Sequence, residues 1–413
     1  MLVCLSDLHL SDLQSDDELV ERLLVETLTS LPAKAKSIGS KKIDILWLGD
    51  IIDLLVSPQW AQRSLRPWDS PSPELGSLIE NIVVATCARY ARFFSTMLLL
   101  SEKKADEVPT FFHYIIGNHD WLLNSSVARS ARVRVDKAFC LAPRREGSPL
   151  AEGKSFKAYG VYATHGHEFD PSNAADDNLW PLGDAVVVEL LQGFFNQVKA
   201  QLTEQSDRTL IRSLEDLFYV RPDMGVPLYI HARLQDEGVS KRQQSIIRGA
   251  WETAVNSFMN IPYFNDRMDA YEKRVGLKRL RQLLRVSRPL RRVTDVLSLL
   301  SWQRERILRI NDPGQYEHRA LDNLLTNFQS LKYFVMGHTH KAALSPLFPD
   351  KDKVSKAYVN TGTWRKIHRP LFFERQAWKE FAAETVLSYA VFYTAEEQRS
   401  TMVSCELHRR SCV

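Results

Sequence analysis

Ile43-Asp44-Ile45-Leu46-Trp47-Leu48-Gly49-Asp50-Ile51-Ile52-Asp53 is the stretch that decides the fold. An apolar, β-prone run of this kind reads as a buried strand. It ends on a glycine and then a carboxylate. Open α/β folds build their sites by delivering such groups at the C-terminal tips of strands. An aspartate at a strand end is also a common turn former, so Asp50 gains its weight from the company it keeps. Four other short stretches carry metal-ligating residue types in similar settings: Asp7-Leu8-His9, Gly117-Asn118-His119-Asp120, His165-Gly166-His167 and Gly337-His338-Thr339-His340. Asp50 is therefore read as a carboxylate bridging two metal ions, with the other four stretches closing around it.

Working outward, the 413 residues suffice for one large domain or two ordinary ones. With 44% hydrophobic and 25% charged residues, the composition is that of a soluble globular protein. No apolar run reaches the ~18 residues of a membrane span. No basic region precedes the apolar Leu2-Val3-Cys4-Leu5, so no signal peptide is expected. The five cysteines, Cys4, Cys87, Cys140, Cys405 and Cys412, show no paired spacing and read as free thiols of a reducing, cytoplasmic protein. The net charge of +4 is uneven. Between Lys273 and Arg309 twelve Lys and Arg meet two acids, Asp295 and Glu305, so this segment carries +10 and the rest of the chain −6.

In chain order, residues 1–5 form a first strand with Asp7 and His9 at its tip. Two residues apart on extended chain, they face one side and suit a single hard or borderline cation. Residues 17–32 show helical periodicity, with Pro32 expected to end the helix. Asp53 reads as a helix N-cap or as a hydrogen-bond partner behind a ligand. A long helix is expected over 74–101, then a strand over 108–116 capped by Asn118, whose amide oxygen suits a hard cation. His119, beside Asp120, reads as a general acid or a phosphate-contacting cation. His113, inside the strand, reads as structural. A hairpin over 154–163 turns near Gly160 and leads to His165 and His167. One of these is expected to be a ligand and the other to contact substrate or metal-bound water.

The strand–helix alternation then stops, and residues 171–330 read as an inserted helical subdomain. Within it, arginines alternate with Leu and Val from Arg274 to Arg309, a basic face suited to an anionic substrate, nucleic acid or anionic lipid. Strands resume over 331–336 and 354–360. Thr361-Gly362-Thr363-Trp364-Arg365 follows as a turn able to reach the site, with Arg365 a candidate substrate contact. A terminal hairpin closes the chain.

The order DxH, GDxxD, GNHD, HxH and GHTH, each after an expected strand, resembles the calcineurin-like metallophosphoesterase superfamily. The resemblance covers roughly 1–170 and 330–408, and the core is expected over 1–170 and 331–413. It implies an α/β fold, a four-layer sandwich of two mixed β-sheets flanked by helices, with the helical insert outside it. It further implies that Asp7, His9, Asp50 and His340 hold one divalent metal, and that Asp50, Asn118, His165 and His338 hold a second. His119, oriented by Asp120, would contact the phosphate or protonate the leaving oxygen. His, Asp and Asn ligands suit Mn, Fe or Zn better than Mg.

The implied activity is hydrolysis of a phosphate ester or anhydride by water activated between two metals. Departures from the superfamily's branches narrow the substrate. The protein phosphatases look like GDxxDRG and GNHE, whereas this chain has Asp53-Leu54-Leu55 and Asp120. The lipid A pathway hydrolases look like GNRD, whereas this chain has His119. A small-molecule or lipid-linked phosphodiester or pyrophosphate ranks first. A nuclease working through the basic insert ranks second, and a non-catalytic metal-binding scaffold is the contrasting class. Peripheral contact with an anionic membrane is a further expectation of the basic segment.

Overall fold

The computed structural model describes residues 1–13, 18–102, 107–142, 145–174, 179–221, 225–275, 277–287, 313–347, 356–371 and 381–411. Two mixed sheets lie face to face with helices outside them. In the first, β1 (Leu2–Leu5), β2 (Ile43–Leu48) and β3 (Thr110–Ile115) run parallel, with Leu5 opposite Trp47 and Leu48 opposite Ile115. β10 (Phe381–Phe392) runs antiparallel to β1, and pairs in turn with β11 (Cys405–Ser411) and β9 (Lys366–Pro370). In the second sheet, β5 (Val161–Thr164), β6 (Tyr333–Met336) and β8 (Lys356–Asn360) are parallel. The antiparallel strands β4 (Gly153–Phe156) and β7 (Ala343–Leu347) form its edges.

The alternation of side chains along each strand explains the layering. Leu46 and Leu48 of β2 point inward with Leu2 and Cys4, against Val161, Ala163, Val335 and Val359 of the second sheet. Ile43, Ile45 and Trp47 point outward, under α1 (Glu18–Ser37), α2 (Pro73–Arg89), α3 (Ala91–Ser101) and α4 (Arg129–Ala138). Trp47 is fully buried and stacks on Phe112, with Phe93 and Phe139 edge-on at 5.5 and 5.9 Å. On the far side, helix Pro313–Thr326 lays Tyr316, Ala320 and Leu324 against Phe334, Met336 and Tyr358 of the second sheet.

Three local expectations change. Pro32 does not end α1, which runs to Ser37, because buried Leu31 and Ala35 carry the packed face past the ring. The long helix over 74–101 breaks at Tyr90 into α2 and α3, bent by 84°. β7 and β9 carry no apolar run to announce them. β7 contains Pro346, which is tolerated because it is an edge strand.

Between β5 and β6 the described chain is helical, with helices at Gln192–Gln201, Arg208–Glu215, Val226–Leu234, Lys241–Met259 and Leu277–Ser287 among others. Their apolar faces join the core cluster that lies outside the first sheet. Trp68 meets Phe264 at 5.6 Å, and Val220 bridges to His368 of β9. The basic stretch over 288–312 lies outside the described residues. No single helix among the described residues is long and apolar enough to cross a membrane. The four described cysteines are free thiols, and His113 sits inside β3 against buried Asp44 at 2.9 Å.

Trp47→Ala removes the side chain on which three aromatic rings converge. A loss of roughly 3–5 kcal/mol is expected, read as a lower urea midpoint with an unchanged slope.

Candidate metal centre

Every ligand-type stretch follows a parallel strand: Asp7 and His9 after β1, Asp50 after β2, Asn118 and His119 after β3, His165 after β5, His338 and His340 after β6. Both sheets therefore send their C-terminal edges to one point. The loops interlock through backbone bonds. Asp7 N donates to Gly49 O at 3.1 Å, His9 N to Asp50 O at 2.9 Å and Gly337 N to His165 O at 3.0 Å. The fit forces unusual backbone. Asp7, His9, Asp50, His338 and His340 all have φ between 47° and 66°, five of seven such non-glycine residues among those described. Left-handed backbone costs a non-glycine residue on the order of 1–3 kcal/mol and persists where the surroundings overdetermine it. Two glycines permit the close approach: a Cβ on Gly117 would strike Asp50 Oδ1, and one on Gly337 would strike Asp7 Oδ2.

Two groups of donors share Asp50. In one, Asp7, His9, Asp50 and His340 offer ligand atoms that all lie within 4.8 Å of one another; in the other, Asp50, His165 and His338 do the same. Asn118 Oδ1 joins the second group, 2.9 Å from His338 Nδ1. Hydrogen bonds at the back of each ring select the nitrogen that faces inward. His165 Nδ1 donates to the Leu48 carbonyl at 2.9 Å, so Nε2 is the nitrogen that faces Asp50 Oδ2, 3.2 Å away. His9 Nδ1 donates to Asp53 Oδ2 at 2.8 Å, which leaves its Nε2 facing His340 Nε2 at 3.0 Å. Lone pairs set against a carboxylate and against each other repel unless a proton or a cation sits between them. Asp7 Oδ1 and His165 Nε2 are buried without any hydrogen-bond partner. These residues fit a bound metal, because each inward atom is a donor pair lacking its acceptor.

Charge states agree. Burial pushes the Asp50 carboxyl up, but the charges of His165 and His119 overrule it and hold it well below the usual range. Asp7 is lowered too, burial being outweighed by His340. Burial lowers His340 to about 3 against the opposing pull of Asp7. At His165 burial is outweighed by Asp50 and Asp7, which raise it to about 10. The well is a concentration of negative charge that only cations or protons can balance.

All seven expected ligands, Asp7, His9, Asp50, Asn118, His165, His338 and His340, come together. The remaining expected residues do not all behave as the spacing suggested. His119 lines the cavity with its ring edge-on to His9 at 4.7 Å. Its partner is Asp53, whose Oδ2 lies 2.9 Å from Nδ1. Burial opposes the proton there, but Asp53 and Asp50 raise His119 to about 9. Asp120 does not orient it. That carboxylate turns away to accept from Ile51 N, Gly117 N and Tyr114 OH, tying the tips of β2 and β3 together. Arg365 does not face substrate. It is 2% exposed, and its guanidinium donates to the Leu8 and His9 carbonyls, stapling the β1 tip. His167 stands behind the centre, 5.5 Å from the His165 ring and outside both donor groups and the cavity lining.

Sequence reasoning missed two groups. Asp170 Oδ2 accepts from His338 Nε2 at 3.1 Å, aiming Nδ1 toward Asn118. Burial pushes Asp170 up, but His338 pulls it to about 2. An acid three residues past His167 was its only signal. Arg221 lines the cavity; its backbone N–H donates to His368 O at 2.8 Å, and its Nη1 donates to the Phe218 and Val220 carbonyls at 3.1 and 3.0 Å. Nothing local announced it, because it comes from the helical segment.

The cavity beside the centre has a volume of about 260 Å³. His9, Asp50, Asp53, Asn118, His119, His338 and His340 form one side, and apolar side chains of the helical segment form much of the rest. No family model matches the chain, and no curated protein aligns with it.

Asp53→Asn removes the charge that holds both His9 and His119, and Asp170→Asn the charge that holds His338. Each is expected to weaken divalent-metal affinity by roughly 10–100-fold, measured by calorimetric titration of the chelator-stripped protein. Metal at about a hundredfold excess over its Kd should stabilise the wild type by about 2.7 kcal/mol, seen as a higher denaturant midpoint that chelator reverses.

Proposed function

We propose that this chain is a metal-dependent phosphoesterase of the calcineurin-like kind, hydrolysing a phosphate ester or anhydride. The observation that carries the reading is Asp50, a buried carboxylate common to two donor groups at the edge of a cavity. Asp7, His9, Asp50 and His340 would hold one cation, and Asp50, Asn118, His165 and His338 the other. Imidazole, carboxylate and amide donors suit Mn, Fe or Zn. When bound, such ions neutralise phosphoryl oxygens and make a water acidic enough to attack at neutral pH.

The chain's own residues supply the rest. Arg221 is positioned to take a phosphate oxygen by charge-assisted hydrogen bonding. The His119 ring is held by Asp53 and kept protonated by its two carboxylate neighbours. It donates that proton to the leaving oxygen as the P–O bond breaks and the bond from water to phosphorus forms. A diester yields a monoester and an alcohol. Asp53 then faces a neutral ring that solvent reprotonates.

The walled cavity favours a small substrate over polymeric nucleic acid. His119, which lies beside Asp53 and within ligand distance of His9, is the residue whose role separates an enzyme from a metal-binding scaffold. Purified, manganese-loaded protein should hydrolyse bis-p-nitrophenyl phosphate, and metal binding without turnover of any phosphate ester would leave the scaffold reading standing. Asp50→Ala should abolish turnover and lower the bound metal. His119→Ala should keep the metal content and lower kcat by roughly two to four orders of magnitude, the usual worth of a general acid.

A further inference from the structure

The cavity is continuous from the donor cluster to a wall that has nothing to do with metal or phosphate. That wall includes Val187, Leu190, Val226, Trp251, Leu280 and Leu284. Five of these six are aliphatic, and none is charged. Val187 and Leu190 belong to Val186–Leu191, six residues of π-helix set between the α-helical turns Leu182–Ala185 and Gln192–Gln201. A π-helical stretch widens the helix and re-aims side chains, and such stretches concentrate at functional sites. Leu280 and Leu284 come from Leu277–Ser287, a helix with Lys278 and Arg285 exposed on its outer side. The cavity thus has a cationic and metal-ligating end and a hydrocarbon-like end.

A nucleoside or sugar would need hydrogen-bond partners along such a wall, since orientation in a pocket comes from a few placed polar groups. The five aliphatic side chains offer none, and the Trp251 indole N–H is the one polar group among the six. The cavity as a whole, donor cluster included, has a volume of about 260 Å³, against the ~150 Å³ apolar cavity that takes up a benzene ring. Arg221 lines the same cavity. Phe218, one turn before it, also lines the cavity, and Val220 is bridged to β9 at His368, which pairs with Asp216 at 2.9 Å. The backbone at Arg221 is therefore tied to the sheet, and its Nη1 is bonded to the Phe218 and Val220 carbonyls.

We infer that the substrate is an amphiphile, a phosphate ester carrying a hydrocarbon tail, and that the tail lies in the apolar arm beneath the helical segment while Arg221 and the donor cluster hold the phosphate. This rests on the phosphoesterase reading and adds the class of the group attached to the phosphate.

The test is a chain-length series on the full-length, manganese-loaded protein. Methyl, butyl, octyl and dodecyl 4-nitrophenyl phosphates are compared as substrates below their micellar concentrations. The matching alkylphosphonates, which cannot be hydrolysed, are compared as ligands by calorimetry. Burial of each methylene is expected to lower KM and Kd about two- to fourfold until the arm is full, with kcat changing little. Val187→Trp, and separately Leu190→Phe, should drive the octyl-to-methyl ratio of kcat/KM toward one. A flat series in an enzyme that turns over the methyl ester overturns the tail and leaves the phosphoesterase standing. Chain-length-dependent phosphonate binding without hydrolysis supports the apolar arm and removes the phosphoesterase. Neither hydrolysis nor chain-length dependence overturns both.

Discussion

Everything near the centre follows from three buried carboxylates, Asp7, Asp50 and Asp53, held within one small volume. Taking a charge out of water costs several kcal/mol per ion even after relaxation, and like charges add to it. The fold answers in layers. Backbone N–H groups of His119 and His338 donate to Asp50 and Asp7 at 2.8 and 3.0 Å. Imidazoles crowd the same oxygens. What remains is a demand for cations, which these His and Asp groups could meet by holding a metal ion. The left-handed loops are a consequence, since only that backbone brings five strand tips close enough to share one carboxylate.

The two-sheet sandwich exists to aim those tips. Parallel strands put all their C-terminal ends on one edge, and two parallel trios facing each other double the number of loops available. The first sheet delivers Asp7, His9, Asp50, Asn118 and His119; the second delivers His165, His338 and His340. Each of the two donor groups that share Asp50 draws on both sheets. The helical segment then closes over the edge, anchored through Trp121 on Asp184 at 2.9 Å and through Val220 on β9. Its contribution to the site is chemical as well as protective, because Arg221 and the apolar wall both come from it.

Much of the centre was legible in the sequence. A buried strand is a local pattern, and a carboxylate or histidine just past its end is a local fact, so Asp7, His9, Asp50, Asn118, His165, His338 and His340 could be read off one by one. The errors have a common cause. His119 and Asp120 are chain neighbours, yet the turn sends one side chain into the cavity and the other back between β2 and β3. Arg365 follows a strand that points at the site, yet its guanidinium is consumed by the carbonyls of Leu8 and His9. Adjacency in a tight loop says little about direction in space.

The sequence by itself therefore determined which ligand types exist and at which strand ends, because both depend on a few contiguous residues. Only the tertiary structure decided who serves whom: Asp53 behind His9 and His119, Asp170 behind His338, Arg221 rather than Arg365 in the cavity lining, and an apolar arm next to a charged one. Those pairings join residues 44 to 331 positions apart, such as His9 with Asp53 and with His340. They are settled by how two sheets and a helical layer pack, a long-range outcome that no local spacing encodes.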